Sequence, residues 1–182
     1  QYKLWALLYS NCMEGRIFSL DPVVDERTRV LVLGSMPGRV SLAQGEYYAH
    51  PQNRFWPLME ILADVPIAAP YHERLELLNN AGIGLWDVLG SCERTGSLDA
   101  DIARSTERCN DIASLLDRYR SIRLVCCNGG KAYEIIKSAI EPCLEGSVLE
   151  RIDIKRMPST SPANASFNMQ RLMESWSSIA DY

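Results

Sequence analysis

Apolar positions recur along the chain with two periods. Residues 30–33 (Val-Leu-Val-Leu) are four apolar residues in a row, the pattern of a strand covered on both faces. Phe55, Leu58, Met59 and Leu62 then follow at i, i+3, i+4 and i+7, which predicts a helix over about 53–63, with Pro57 tolerated in its first turn. A helix over about 71–81 stopped by Gly82, a strand over 83–88 and an Asn110-capped helix carrying Ile112, Leu115, Leu116 and Tyr119 come next. The pattern continues with a strand over 123–127, a helical stripe of Ala132, Ile135, Ile136, Ala139 and Ile140, and a more exposed strand over 149–157. A last helix carries Met169, Leu172, Met173, Trp176 and Ala180. Strands alternating with helices predict parallel βαβ units, a sheet held between two helix layers. Residues 1–29 read as a lead-in covering a sheet edge, 38–54 as a long polar-aromatic loop and 90–109 as a polar loop. With no repeat and no long linker, 1–182 is expected to be one domain.

Parallel strands place their carboxyl ends along one rim, where open α/β sheets bind ligands. Three of the expected strands end in Gly34-Ser35-Met36-Pro37-Gly38, Asn128-Gly129-Gly130 and Pro158-Ser159-Thr160-Ser161-Pro162, and the fourth ends near Trp86-Asp87. Any one of these is ordinary turn punctuation. Three together on one rim mark a site. Gly129-Gly130-Lys131 lacks the remaining residues of a phosphate-binding P-loop, Ser35 is outside a G-x-S-x-G elbow, and 34–38 is not a dinucleotide fingerprint.

Composition narrows the chemistry. The formal net charge is -4 with a pI near 5.3, which argues against a protein that coats DNA non-specifically. A local rim of positioned cations remains compatible with it. The six cysteines form no C-x-x-C pair and no zinc-like spacing with the two histidines, so buried reduced thiols are expected and no metal. Cys126 and Cys127, adjacent in a strand, should face opposite ways. No apolar run approaches the ~20 residues of a membrane span, and a secretory signal is not expected.

The segment 34–38, the run Tyr47-Tyr48-Ala49-His50-Pro51-x-Asn53-x-Phe55-Trp56, Asn128-Gly129 and the run Pro158 to Asn164 together resemble the hypoxanthine-DNA (deoxyinosine) glycosylase family of the uracil-DNA glycosylase superfamily. The resemblance runs from about Val30 to Trp176. It implies a three-layer α/β/α sandwich with a central four-stranded parallel sheet, and excision of a deaminated base (hypoxanthine, with uracil or xanthine as further substrates) from damaged double- or single-stranded DNA without metal or cofactor. A monomer is expected, in the cytoplasm at the nucleoid or in a nucleus. In the related mismatch-specific uracil glycosylases the first motif reads Gly-Ile-Asn-Pro-Gly and its Asn positions water. Here that position is Met36, which holds water poorly.

A glycosylase takes the nucleotide out of the stack into a snug pocket. The resemblance places Tyr48 against the flipped base; Tyr47 is either its neighbour in the pocket or a packed residue closing the loop. Backbone N–H groups of Gly34, Ser35 and Met36 are candidates to stabilise the departing base. Asn53 is the candidate catalytic residue, orienting water and supporting the sugar cation; its ordinary alternative is a helix N-cap. Asn128 offers donor and acceptor to a base edge, or shapes the turn before Gly129. Pro158, Ser159, Thr160 and Ser161 resemble a loop pressed into the minor groove. Arg39, His50, Arg54, Lys155, Arg156 and Arg171 are candidates for phosphate contacts, and Trp86 and Asp87 for backing the pocket. A lyase would need an amine nucleophile; Lys131, the one lysine near a motif, is expected on a helix's first turn. The competing class of function is a non-catalytic nucleic-acid or nucleotide-binding module on the same fold.

Overall fold

The computed structural model describes residues 15–182. In chain order its strands and helices are β1 (Arg16–Phe18), β2 (Val30–Gly34), α1 (Arg39–Gln44), α2 (Phe55–Ala63), α3 (Tyr71–Asn80), β3 (Ile83–Asp87), β4 (Leu89–Glu93), β5 (Arg108–Cys109), α4 (Ile112–Arg118), β6 (Leu124–Asn128), α5 (Gly130–Ile135), α6 (Gly146–Leu149), β7 (Asp153–Met157) and α7 (Met169–Trp176). The main sheet is parallel with strand order β3-β2-β6-β7.

Side chains alternate across β2 and β6 and so build two cores. Leu31, Leu33, Val125 and Cys127 pack on one face with Ile112, Leu115 and Leu116 of α4 and Ala132 and Ile135 of α5. Val30, Val32, Leu124 and Cys126 pack on the other with Phe55, Leu58 and Met59 of α2, Leu78 of α3 and Leu172 and Trp176 of α7. This is the three-layer α/β/α arrangement, and the two adjacent cysteines do face opposite cores. The lead-in also covers a sheet edge as expected: Val23 pairs antiparallel with Leu85 of the edge strand β3 through two 2.9 Å backbone bonds. Residues 1–14 of that segment lie outside the described residues.

Several expectations are corrected. The loop 90–109 contains β4 and β5, which with β1 form a second, antiparallel sheet. The loop 38–54 contains α1, ended by Gly45 in the left-handed conformation (φ 68°). Residues 149–152 are not strand: α6 ends at Leu149 and β7 starts at Asp153. The cap of α4 is Asp111, whose carboxylate accepts from Ser114 N–H, whereas Asn110 donates to the Asp87 carbonyl (2.8 Å). Cys92, Cys126 and Cys127 are buried free thiols, but Cys109 and Cys143 are exposed.

Candidate active site

The carboxyl ends of the main strands open onto a cavity of about 690 Å³. That lies within the roughly 300–1,000 Å³ of small-molecule pockets. Its first wall is the loop after β2. Val88 N–H donates to the Gly34 carbonyl (2.8 Å) and Leu89 N–H to the Ser35 carbonyl (3.1 Å), so the carbonyls turn toward the β3–β4 connection. The N–H groups of Ser35 and Met36 meet no acceptor among the described residues. The Met36 side chain is buried in the core, which leaves its backbone to border the cavity. Beneath the loop the guanidinium of Arg94, 9% exposed, donates to the Pro37 carbonyl (2.6 Å).

Both tyrosines border the cavity, and they are held differently. Tyr47 belongs to the core: its hydroxyl donates to the Asp21 carbonyl (2.9 Å) and its own carbonyl accepts from the Trp56 indole (3.0 Å). Tyr48 sits at φ 55°, uncommon for a residue with a Cβ, and stacks on Phe55 with ring centroids 4.0 Å apart. Its ring borders the cavity, and its buried hydroxyl has no hydrogen-bond partner among the described residues. Burial, with the charge of Asp87 adding, raises its pKa.

Asn53 lines the cavity just before α2. Its Oδ1 accepts from Phe55 N–H (3.0 Å), so one end of the carboxamide holds the first turn and Nδ2 stays unengaged among the described residues. His50 lines the rim, exposed, with Nδ1 accepting from Gln52 N–H (3.2 Å).

The opposite wall is the segment 159–164. Asn128 holds it by a two-point pair: Nδ2 donates to Thr160 Oγ1 and Oδ1 accepts from Thr160 N–H, both at 3.0 Å. Gly129 follows at φ 106°, and a Cβ there would lie 3.2 Å from Ser159 Cβ, so both backbone conformation and space call for glycine. Arg54 fastens the same segment. Its side chain donates to the carbonyls of Ser161 (2.6 Å), Asn164 (3.0 Å), Thr160 (3.4 Å) and Phe167.

The structure places the expected phosphate set as follows. Arg54 is a staple for the loop, with its donors turned inward. Thr160 is fully buried and presents no surface to DNA. Pro158 is outside the cavity lining and accepts from the Trp176 indole (3.1 Å). Lys155 lies over the Tyr182 ring, Arg171 donates to the Ser166 carbonyl, and the exposed Arg156 reaches over Gly130; none lines the cavity. Arg39, Ser159, Ser161 and the buried Thr160 are among its lining residues. Lys131, on the first turn of α5 as expected, is paired with Glu107 and is also absent from the lining.

Two features escaped the sequence reading. The segment 97–99 (Ser-Leu-Asp) forms part of the lining, held there by Ser35 Oγ donating to Asp99 Oδ1 (2.5 Å). Asp87, assigned above only a backing role, is 3% exposed and lines the cavity floor. Its Oδ2 accepts from Ser19 Oγ (2.8 Å), and Oδ1 lies so near Gly34 that a Cβ there would meet it at 2.5 Å. Desolvation pushes the carboxyl pKa up to about 7, with Asp99 adding and Ser19 and Arg94 opposing. An acid at the end of the apolar run Ile-Gly-Leu-Trp was the available signal. Among the described residues no group of His, Cys, Asp and Glu is arranged to hold a metal ion.

The chain that builds this parallel four-stranded sheet and its rim cavity matches the model of the uracil DNA glycosylase superfamily over residues 22–179, and it belongs to that superfamily. Among curated proteins it is 38% identical over 162 residues to the hypoxanthine DNA glycosylase of Methanosarcina acetivorans, covering 86% of this chain and 93% of that one. It is 39% identical over 144 residues to the hypoxanthine DNA glycosylase of Methanosarcina barkeri, covering 79% and 85%. A solution NMR structure from M. acetivorans, described as a uracil DNA glycosylase, superposes with a TM-score of 0.75 at 34% identity, covering 91% of this chain and 96% of that one.

Proposed function

We propose that this protein is a DNA glycosylase that hydrolyses the N-glycosidic bond of deoxyinosine in DNA, releasing hypoxanthine and leaving an abasic site. The observation that carries the reading is the cavity lined together by Ser35 and Met36, whose N–H groups have no partner among the described residues, by Asn53, whose Nδ2 has none there either, and by Tyr48. Names of relatives that align along most of the chain support the same substrate.

The geometry supports a division of labour. As the glycosidic bond stretches, positive charge grows on the sugar and negative charge on the base. N–H donors fixed in advance, within a site that excludes water, stabilise that developing charge without reorganising. Asn53 is anchored through Oδ1, so its amide end is positioned rather than free to rotate. Because an amide does not titrate usefully, its role is to orient water and the sugar, not to take a proton. Tyr48, backed by Phe55, offers a flat surface for the extruded base. Arg39 is the arginine in the cavity lining; its Nη2 donates to the Thr95 carbonyl, and its remaining donors are our candidates for a flanking phosphate. With no lysine lining the cavity among the described residues, the product is an uncleaved abasic strand.

The test is single-turnover incubation with duplexes carrying one deoxyinosine, with deoxyuridine, deoxyxanthosine and deoxyadenosine as parallel substrates, followed by alkali. Strand cleavage only after alkali, with free hypoxanthine released, is the expected result. Tight binding of deoxyinosine DNA with the base left in place would instead establish a non-catalytic reader. A borohydride-trapped covalent adduct would overturn the monofunctional assignment.

A further inference from the structure

Among the described residues, Asp87 is the one acidic residue both buried and part of the cavity wall. A buried carboxylate ordinarily collects several donors. This one has a single side-chain donor, Ser19, and no hydrogen bond reaches Oδ1 from any described residue. The groups around it do not supply a counter-ion. Arg94, at the end of the β4 chain, is the cation acting on it, but that guanidinium already donates to the Pro37 carbonyl and is opposed by Asp99 from the segment 97–99. Tyr48, Tyr47 and Tyr71 feel the charge of Asp87 and would be neutral neighbours. Asn110 reaches only its backbone carbonyl.

Resting on the glycosylase reading above, we propose that Asp87 is a second catalytic residue, a neutral carboxylic acid whose Oδ1 edge faces the extruded base and donates a proton to it as it departs. The glycosidic bond breaks with its electron pair moving into the purine, the Asp87 proton passes to the purine, and water adds to the sugar carbon and releases a proton to solvent. Asp87 is then reprotonated from solvent, so the products are neutral hypoxanthine and an abasic sugar. An ionised Asp87 would instead face the base's growing negative charge and oppose departure. The raised pKa, about 7, agrees with a proton retained near neutrality. The 2.5 Å clearance at Gly34 accounts for glycine opening the first motif: any side chain there would displace the acid.

The test is the pH profile of single-turnover deoxyinosine excision from about pH 5.5 to about 8.5 for the wild type, Asp87→Asn and Ser19→Ala. The wild-type rate should be level at the acid end and fall roughly tenfold per pH unit above its apparent pKa. Asp87→Asn, which keeps the shape but has no proton to give, should be slower by about 10²–10⁴-fold and lack the alkaline fall. Ser19→Ala removes the bond that favours the carboxylate, so the fall should move to higher pH. That displacement is something a merely structural Ser19 would not cause. If the wild type excises hypoxanthine at a rate that rises with pH, Asp87 is a base and the proposal fails while the glycosylase reading stands. An Asp87→Asn profile that matches the wild type also overturns it. Absence of excision by folded wild-type protein removes both. Should Asp87→Asn fail to melt cooperatively, the wild-type profile and its shift in Ser19→Ala still decide.

Discussion

The pair between Asn128 and Thr160 gives a prediction whose size follows from geometry. Asn128→Ala removes two 3.0 Å hydrogen bonds at once and leaves the N–H and hydroxyl of a fully buried threonine without those partners. Each stranded buried polar group costs about 1–3 kcal/mol. Relaxation of the loop should recover part of it, so a loss of about 2–4 kcal/mol is expected. For a chain of this size each kcal/mol lowers the melting temperature by about 2–4 °C, which predicts a fall on the order of 10 °C. Asn128→Asp is the informative partner. A carboxylate still accepts from Thr160 N–H, and the threonine hydroxyl can reverse and donate to it, so both contacts survive and most of the stability should return. Scanning calorimetry of the two variants, with deoxyinosine excision measured on the same preparations, is the assay. If Asn128→Ala melts within about 2 °C of the wild type yet loses excision, the carboxamide reads the base and the clamp argument is wrong.

Asn53→Asp keeps an acceptor for Phe55 N–H but loses the amide donor, so it should lose excision by about 10²–10⁴-fold with little change in melting temperature. Arg54→Ala should destabilise the protein while leaving the salt dependence of DNA binding unchanged, because every nitrogen of its guanidinium serves a carbonyl; Arg39, with only Nη2 engaged by the Thr95 carbonyl, keeps donors for a phosphate, so Arg39→Ala should lower the slope of log affinity against log salt by about one. Asp87 also links stability to pH. Its folded pKa of about 7 lies above the unfolded value of 3.8, so the native state holds a proton that the unfolded chain releases in between. Its contribution to stability should therefore fall as pH rises from about 4 to about 7. The melting temperature of the wild type relative to Asp87→Asn across that window checks the sign.

Much of the fold was readable because burial on both faces makes β2 and β6 uninterrupted apolar runs, and because the stripes of α2, α4 and α7 each face one core. What failed failed locally. The stretch 149–152 alternates like a strand, but Val148 and Ile152 are buried across a helical turn and its exit, a choice set by packing on the first core. The helix α1 is six residues between glycines, with Ser41 its one buried residue, and leaves no stripe to read. The rim was legible as three motifs, yet the division of work within it was not. Nothing about Arg54 in the sequence says that four carbonyls over a hundred positions later converge on it. Nor does the apolar run before Asp87 say which way its carboxyl turns.

Those convergences bear on why this end of the sheet can act as a site. Preorganised groups do not relax on demand, so the fold must hold them in states that cost stability. The costs cluster here. Tyr48 has a left-handed backbone, its hydroxyl and two nitrogens of Arg94 are buried without partners among the described residues, and Asp87 is buried with one side-chain donor. The restraints cluster in the same place: Arg54 on the loop carbonyls, Asn128 on Thr160, Ser35 on Asp99. They tie the three loops to each other and leave, among the residues that line the cavity, the N–H groups of Ser35 and Met36, Asn53 Nδ2 and Asp87 Oδ1 without a hydrogen-bond partner among the described residues. The position where related enzymes carry a water-holding asparagine is filled by Met36, whose side chain goes to the core and strengthens the loop's seat. In the mechanism we propose, the chemistry it cannot do falls to residues on either side of it, an amide at the head of α2 and an acid at the end of β3.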